Sequence, residues 1–269
     1  MLDKDPWLQR YRPAIGNGAQ LVWFPHAEAP QATSSHWPRR CGASSMYSGQ
    51  YPGRRERRSE HLVETIAELA DRATESLARH ADRPVALFGH SMGAIVAFEV
   101  ARRVEAEGRL RLLGVIASGR RAPSVSDPQA VHQRDDREIL TEIRDLGGTE
   151  SPLLHNPDVV QMILPLLRSD YKAIENYGTN SSVLSSPIRA YIGDQDPRVD
   201  IDQAERCRHH TTAGFRLRMF PGNHFYLRSQ IPRLKHAIDA DITEFITYAE
   251  DSVEAARGRC QLKVVWTFC

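Results

Sequence analysis

The chain reads as an α/β protein, with a mostly parallel central sheet, helices on both faces and a helical insertion over one end. Three observations predict it. Short apolar runs alternate with amphipathic stretches from Gln20 to Ala117, a pattern of strand–helix–strand units and therefore of parallel strands. One run and the stretch after it are joined by Gly89-His90-Ser91-Met92-Gly93, a sharp strand-to-helix turn centred on a serine. The alternation stops between Arg120 and Ser186 and resumes at Ile188, as it does when a segment is inserted between two strands.

Size and composition set the bounds. At 269 residues with 41% apolar content, the chain has the length of a single α/β domain with a sizeable core. One domain over 1–269 is therefore expected, with the insertion spanning about 124–186 and no assignment for 251–269. A net charge of +1 produces no basic field for nucleic acid. Asp3, Lys4, Asp5 and Arg10 interrupt any leader-like apolar run, and no later run is long enough to span a membrane. Cys41, Cys207, Cys260 and Cys269 lack C-x-x-C spacing, which suits a reducing compartment and offers no metal site. These features predict a soluble cytoplasmic protein with no metal, no cofactor, and neither nucleic acid nor membrane as partner.

Taken in order, residues 1–19 are polar, with Trp7 and Tyr11 as surface anchors. Gln20 to Phe24 is a core strand ended by Pro25. Residues 28–48 show neither helical nor alternating periodicity. Arg54, Arg55, Arg57 and Arg58 form a basic cluster, read as a solvated loop, with an acidic partner as the alternative. Ser59 is placed as the cap of a helix whose apolar face carries Leu62, Ile66, Leu69, Ala73 and Leu77.

Val85 to Phe88 is a buried strand, Ala94 to Glu107 a helix stopped by Gly108, and Leu112 to Ala117 another buried strand. In the insertion, Asp136–Leu146 is amphipathic and ends at Gly147-Gly148. Asn156-Pro157 starts a second helix, which Pro165 should kink. Ile188–Ile192 is a strand running into Gly193-Asp194-Gln195-Asp196-Pro197. Phe215–Met219 is a strand nearer the sheet edge, and Leu234 to Ile246 marks a closing helix.

Chemistry concentrates at Ser91. Glycines two residues to either side let strand and helix approach closely, so the serine projects from the strand's carboxyl end with a helix N-terminus behind it. The Met92 amide then faces any negative charge that develops on an attacked carbonyl. The loop Pro25-His26-Ala27 follows an early strand, which places the Ala27 amide as the second donor. A serine needs a base and the base needs an acid. In the α/β-hydrolase fold the chain order is serine, acid, histidine, and Ser91, Asp196 and His224 supply it. Asp194 competes for the acid's place, but Asp196 is farther around the turn and is followed by the rigid Pro197. His90 is too close along the chain to serve Ser91, and His26, His155, His209 and His210 follow no strand in that order.

These residues resemble the type II thioesterases that accompany modular polyketide and nonribosomal peptide synthases. The resemblance is carried by Phe24-Pro25-His26-Ala27, Gln50-Tyr51-Pro52-Gly53-Arg54, the Ser91 pentapeptide and Ser118-Gly119-Arg120-Arg121-Ala122-Pro123. It extends through Leu164 to Tyr171, Gly193 to Pro197 and Gly222-Asn223-His224-Phe225. It implies an editing enzyme that hydrolyses acyl thioesters from the phosphopantetheine arm of acyl carrier protein domains. Ser91 would be nucleophile, His224 base, Asp196 its orienter, and the Ala27 and Met92 amides the oxyanion donors. The insertion would be a lid over a short acyl chain, and the arginines near Arg54 would meet an acidic carrier.

Glu28 and Ala29 stand where the family pattern has two glycines, so 28–48 is either a local reading-frame error or a diverged loop. The rival readings are a carrier-binding module of weak activity, and a general carboxylesterase or acyltransferase.

Overall fold

In the computed structural model, the described residues are 5–12, 18–27, 45–126, 129–147 and 155–264. They form seven strands: β1 (Leu8–Arg12), β2 (Gln20–Phe24), β3 (Ser45–Gly49), β4 (Val85–His90), β5 (Leu112–Ser118), β6 (Ile188–Gly193) and β7 (Phe215–Phe220). Their order across the sheet is β1-β3-β2-β4-β5-β6-β7. Only β1 runs antiparallel, against β3. The helices are α1 (Ile66–His80), α2 (Met92–Glu107), α3 (Asp136–Asp145), α4 (Pro157–Glu175), the short α5 (Ile201–Glu205) and α6 (Ile231–Val264).

Alternate side chains of a strand point to opposite faces, and the core divides accordingly. Val22, Phe24, Val85 and Leu87 pack on one face with Leu69, Ala73 and Leu77 of α1 and with α2. Leu21, Trp23, Ala86 and Phe88 pack on the other face with Leu234, Ile238, Ile242 and Phe245 of α6. Trp23 stacks on Phe88 with ring centroids 3.9 Å apart. β2 and β4 are thus buried on both sides, which is why they read as unbroken apolar runs. The inserted segment has a small core of its own, Val131, Ile139, Ile143 and Leu167. Its helices start as their sequences predict. Asp135 and Glu138 close a capping box on α3, and Asn156 caps α4 ahead of Pro157. The assigned helix α4 continues past Pro165.

Several expectations are corrected. The polar N-terminal segment contains edge strand β1. Trp7 is no surface anchor: it is half-buried and lies 4.3 Å beneath the Arg57 guanidinium. Residues 28–44 of the unreadable segment lie outside the described residues, whereas Ser45–Gly49 is the buried strand β3. Its two large apolar residues, Met46 and Tyr47, are adjacent and flanked by Ser and Gly, so they form neither an apolar run nor an alternation. The first helix starts at Ile66 because the side chain of Thr65, and not that of Ser59, accepts the Glu68 amide.

The arginine cluster is no solvated patch. Arg54 is buried and paired with Asp170 of α4, and Arg57 is buried and paired with Glu60, leaving Arg55 and Arg58 exposed. Residues 251–264, without assignment in the sequence, continue α6.

β7 has nothing beyond it among the described strands, as its arginine alternation suggested. Those arginines face α6 nonetheless. Asp241, fully buried on α6, accepts from Arg218 at 2.6 and 2.9 Å, from Arg189 of β6 at 3.3 Å and from the Tyr191 hydroxyl. Glu244 also accepts from Arg189 and Arg216, but removing the one fully buried acid leaves the buried guanidinium charge under-compensated. Asp241→Ala should therefore cost about 3–5 kcal/mol in a urea unfolding series. A loss within experimental error would show that the cluster adds nothing to the packing of α6 on the sheet.

Candidate active site

The turn from β4 into α2 holds Ser91 at φ 54° and ψ −119°, a region that side-chain-bearing residues rarely occupy. Neighbouring bonds hold it there. The Ser91 amide donates to the Ser118 carbonyl at 2.8 Å, and the Ser91 carbonyl accepts from the Ala94 amide at 3.0 Å. The two glycines have the steric role their spacing implies. A Cβ on Gly89 would lie 2.0 Å from the Gly93 carbonyl oxygen, and one on Gly93 would lie 2.2 Å from that of Phe24. Gly93 therefore lets the Pro25–Ala27 loop come close to the start of α2.

The other site residues reach the same edge of the sheet from separate elements. His224 follows β7, and its Nδ1 lies 2.9 and 3.0 Å from the two carboxylate oxygens of Asp196, which follows β6. A carboxylate only accepts, so Nδ1 carries the proton. The Asp196 and His224 side chains are almost wholly buried, and Asp196 also accepts the Arg198 amide at 2.8 Å. Asp194 is exposed and accepts the Gly222 amide at 2.9 Å. It closes the turn and does not meet His224.

Ser91, Met92, Ala27 and His224 line one narrow cleft of about 50 Å³. Leu146, Tyr171 and Ile174 of the insertion form its apolar wall, and Arg120, Arg121, Gln129, Glu175 and Arg198 its polar one. Sequence reasoning missed most of these wall residues. Their only trace was the Ser118–Pro123 run and the apolar faces of the two inserted helices.

The insertion is tied to the loops that carry Asp196 and His224. Arg198 pairs with Glu142 of α3, and Arg228 donates to the Gly147 carbonyl at 3.3 Å.

Two further histidines were passed over. His26 directly follows β2 and is buried, with its ring edge-on to Phe225 at 4.8 Å. His90 is fully buried, 5.6 Å from His26 and 5.0 Å from His224 between ring centroids. Burial pushes the imidazole of His26 down to about 3, assisted by the Arg228 and His224 charges. His90 is likewise held well below the ordinary range by burial, then by His224 and His26. Both stay neutral, and neither is placed as the base.

Comparison with known proteins points to one family. The model of a thioesterase domain matches residues 19–242. A probable cadicidin biosynthesis thioesterase of Streptomyces griseus is 43% identical over 84% of this chain, which spans 63% of that protein. Thioesterase PikA5 of Streptomyces venezuelae is 39% identical over 94% of this chain and 90% of its own length. Among solved structures, the type II thioesterase BorB from the borrelidin biosynthetic cluster is 37% identical. It superposes with a TM-score of 0.78 over 90% of this chain and 100% of its own.

The buried histidines set an acid limit on stability. In the unfolded chain they take up protons as pH falls through about 6.5, whereas in the folded chain His26 stays neutral down to about 3. Between those values the unfolded state binds more protons. Stability is therefore lost on acidification, by up to about 1.4 kcal/mol per pH unit for each histidine. The urea midpoint should fall steadily between pH 7 and 5, and less steeply in His26→Gln. Equal slopes for the two proteins would show that His26 is not held neutral by the fold.

Proposed function

This chain belongs to the thioesterase family and is by that membership a hydrolase of thioesters; from that premise we propose that it edits polyketide or nonribosomal peptide assembly by removing acyl groups from the phosphopantetheine arm of acyl carrier proteins. Ser91 Oγ attacks the thioester carbonyl while His224 Nε2 takes its proton. Asp196 holds Nδ1–H and stabilises the imidazolium. The tetrahedral oxyanion is met by the amides of Ala27 and Met92, the latter at the first position of a helix, where amides lack intrahelical partners. On collapse the C–S bond breaks, and the pantetheine sulfur leaves with the proton from His224. Water, deprotonated by His224, then cleaves the acyl-enzyme and returns Ser91 with the free acid.

The observation that carries this reading is the convergence of Ser91, His224 and Ala27 on one cleft, with His224 bonded to a buried carboxylate. A thiolate, whose parent pKa is about 8.5, leaves readily and asks little of His224 as an acid. The wall of Leu146, Tyr171 and Ile174 suits a short apolar acyl chain, with the insertion as lid. Arg54 and Arg57 are buried, so any contact with an acidic carrier in that region falls to Arg55 and Arg58. The reaction needs no metal or bound cofactor beyond the carrier's own arm.

A serine-directed fluorophosphonate should label Ser91, and Ser91→Ala should abolish both labelling and release of acyl groups from a loaded carrier protein. Binding of carrier without turnover would favour a docking module, and preference for p-nitrophenyl esters over thioesters an esterase. Asp196→Asn should lower kcat by roughly 10⁴, by analogy with other serine triads. Asp194→Asn should change it little. The opposite ranking would put the acid at Asp194.

A further inference from the structure

A buried polar chain lies behind the site, and the reaction steps above do not use it. The Tyr226 hydroxyl is 2.6 Å from Ser118 Oγ, and Ser118 Oγ is 2.9 Å from His90 Nδ1. All three residues are fully buried.

A hydroxyl both donates and accepts, so Ser118 Oγ can bond Tyr226 and His90 at once and the chain is continuous from one ring to the other.

What the chain connects is informative. His90 immediately precedes Ser91, and Tyr226 follows His224 by two residues. Ser118 lies opposite His90 in the β4–β5 register, and its backbone carbonyl accepts the amide of strained Ser91. One residue thus bonds the nucleophile's own backbone, the residue before it and the loop that carries the base. The rings are in close contact as well: His224 rests on His90 at 5.0 Å between centroids, tilted by 40°. A Cβ on neighbouring Gly119 would lie 2.5 Å from His90 and 3.3 Å from His224, so the two imidazoles fill the space above that glycine.

We propose that Tyr226, Ser118 and His90 form a positioning chain that sets His224 relative to Ser91, with Ser118 as its hub. The inference rests on the assignment of Ser91 and His224 as nucleophile and base. A strained backbone persists only where its surroundings over-determine it, and Ser118 supplies that restraint on the nucleophile and on the base loop together. Its hydroxyl touches neither substrate nor the reacting atoms, and its contribution is geometric. Small misplacements of reacting groups cost up to about a hundredfold in rate.

The test compares Ser118→Ala and Tyr226→Phe in the full chain. Hydrolysis of an acyl-N-acetylcysteamine is measured together with the thermal midpoint and the low-field proton resonance of His224 Nδ1–H. Ser118→Ala should lower kcat about ten- to a hundredfold with KM unchanged, and shift or broaden the resonance. Tyr226→Phe, which keeps the Ser118–His90 bond, should do the same to a smaller degree. A purely structural role predicts a lower thermal midpoint with wild-type kcat and resonance, and that result overturns the proposal. If Ser118→Ala does not fold, the same readings on Tyr226→Phe decide. A wild-type protein inert towards thioester and fluorophosphonate alike would overturn the hydrolase reading instead. The resonance, which needs no turnover, would still judge the chain.

Discussion

The strained turn at Ser91 is the constraint on which the rest of the structure depends. A residue with a side chain is held at φ 54°, and the strain is tolerated because what surrounds it is rigid. β4 lies at the middle of the sheet, buried on both faces, and α2 begins one residue after the serine. Neither element can yield without exposing core. The turn is shaped to bring one hydroxyl above the strand ends, and two glycines clear the space that shape requires.

The same edge collects the other groups because parallel strands all end on one side. β2 delivers the Pro25–Ala27 loop, β6 the Asp196 turn and β7 the His224 loop. Backbone bonds then stitch the last two together: the Asp194 amide donates to Phe220 and the Gln195 amide to Gly222. His224 is therefore located by its own loop, by the Asp196 carboxylate and by the His90 ring beneath it. Two neighbouring imidazoles are kept uncharged by burial, so positive charge arising on His224 meets no second cation from them.

The insertion belongs to this arrangement physically. Its own core is small, and Ala173 and Ile174 of α4 join the main core. Ion pairs fasten it to the body of the protein: Arg54 with Asp170, Lys172 with Glu64 and Arg198 with Glu142. The first is buried, which explains why an arginine that resembled a docking residue has its charge committed inside the fold.

Local pattern was enough to determine the alternation of strands and helices, the serine turn and the cap of the second inserted helix, and it suggested the order of serine, acid and histidine. Each of these is written in residues adjacent or nearly adjacent along the chain, where periodicity, glycine spacing and capping chemistry act. Strand β3 was invisible because Met46 and Tyr47, set among Ser and Gly, make too short a pattern to read, and its burial comes from lying between β1 and β2. Which arginines were buried, which walls enclosed the cleft and that His26 and His90 sit against His224 were decided by tertiary structure alone. Those facts depend on contacts between residues far apart in sequence, and no local pattern along a chain records which distant side chain will fill the space beside it.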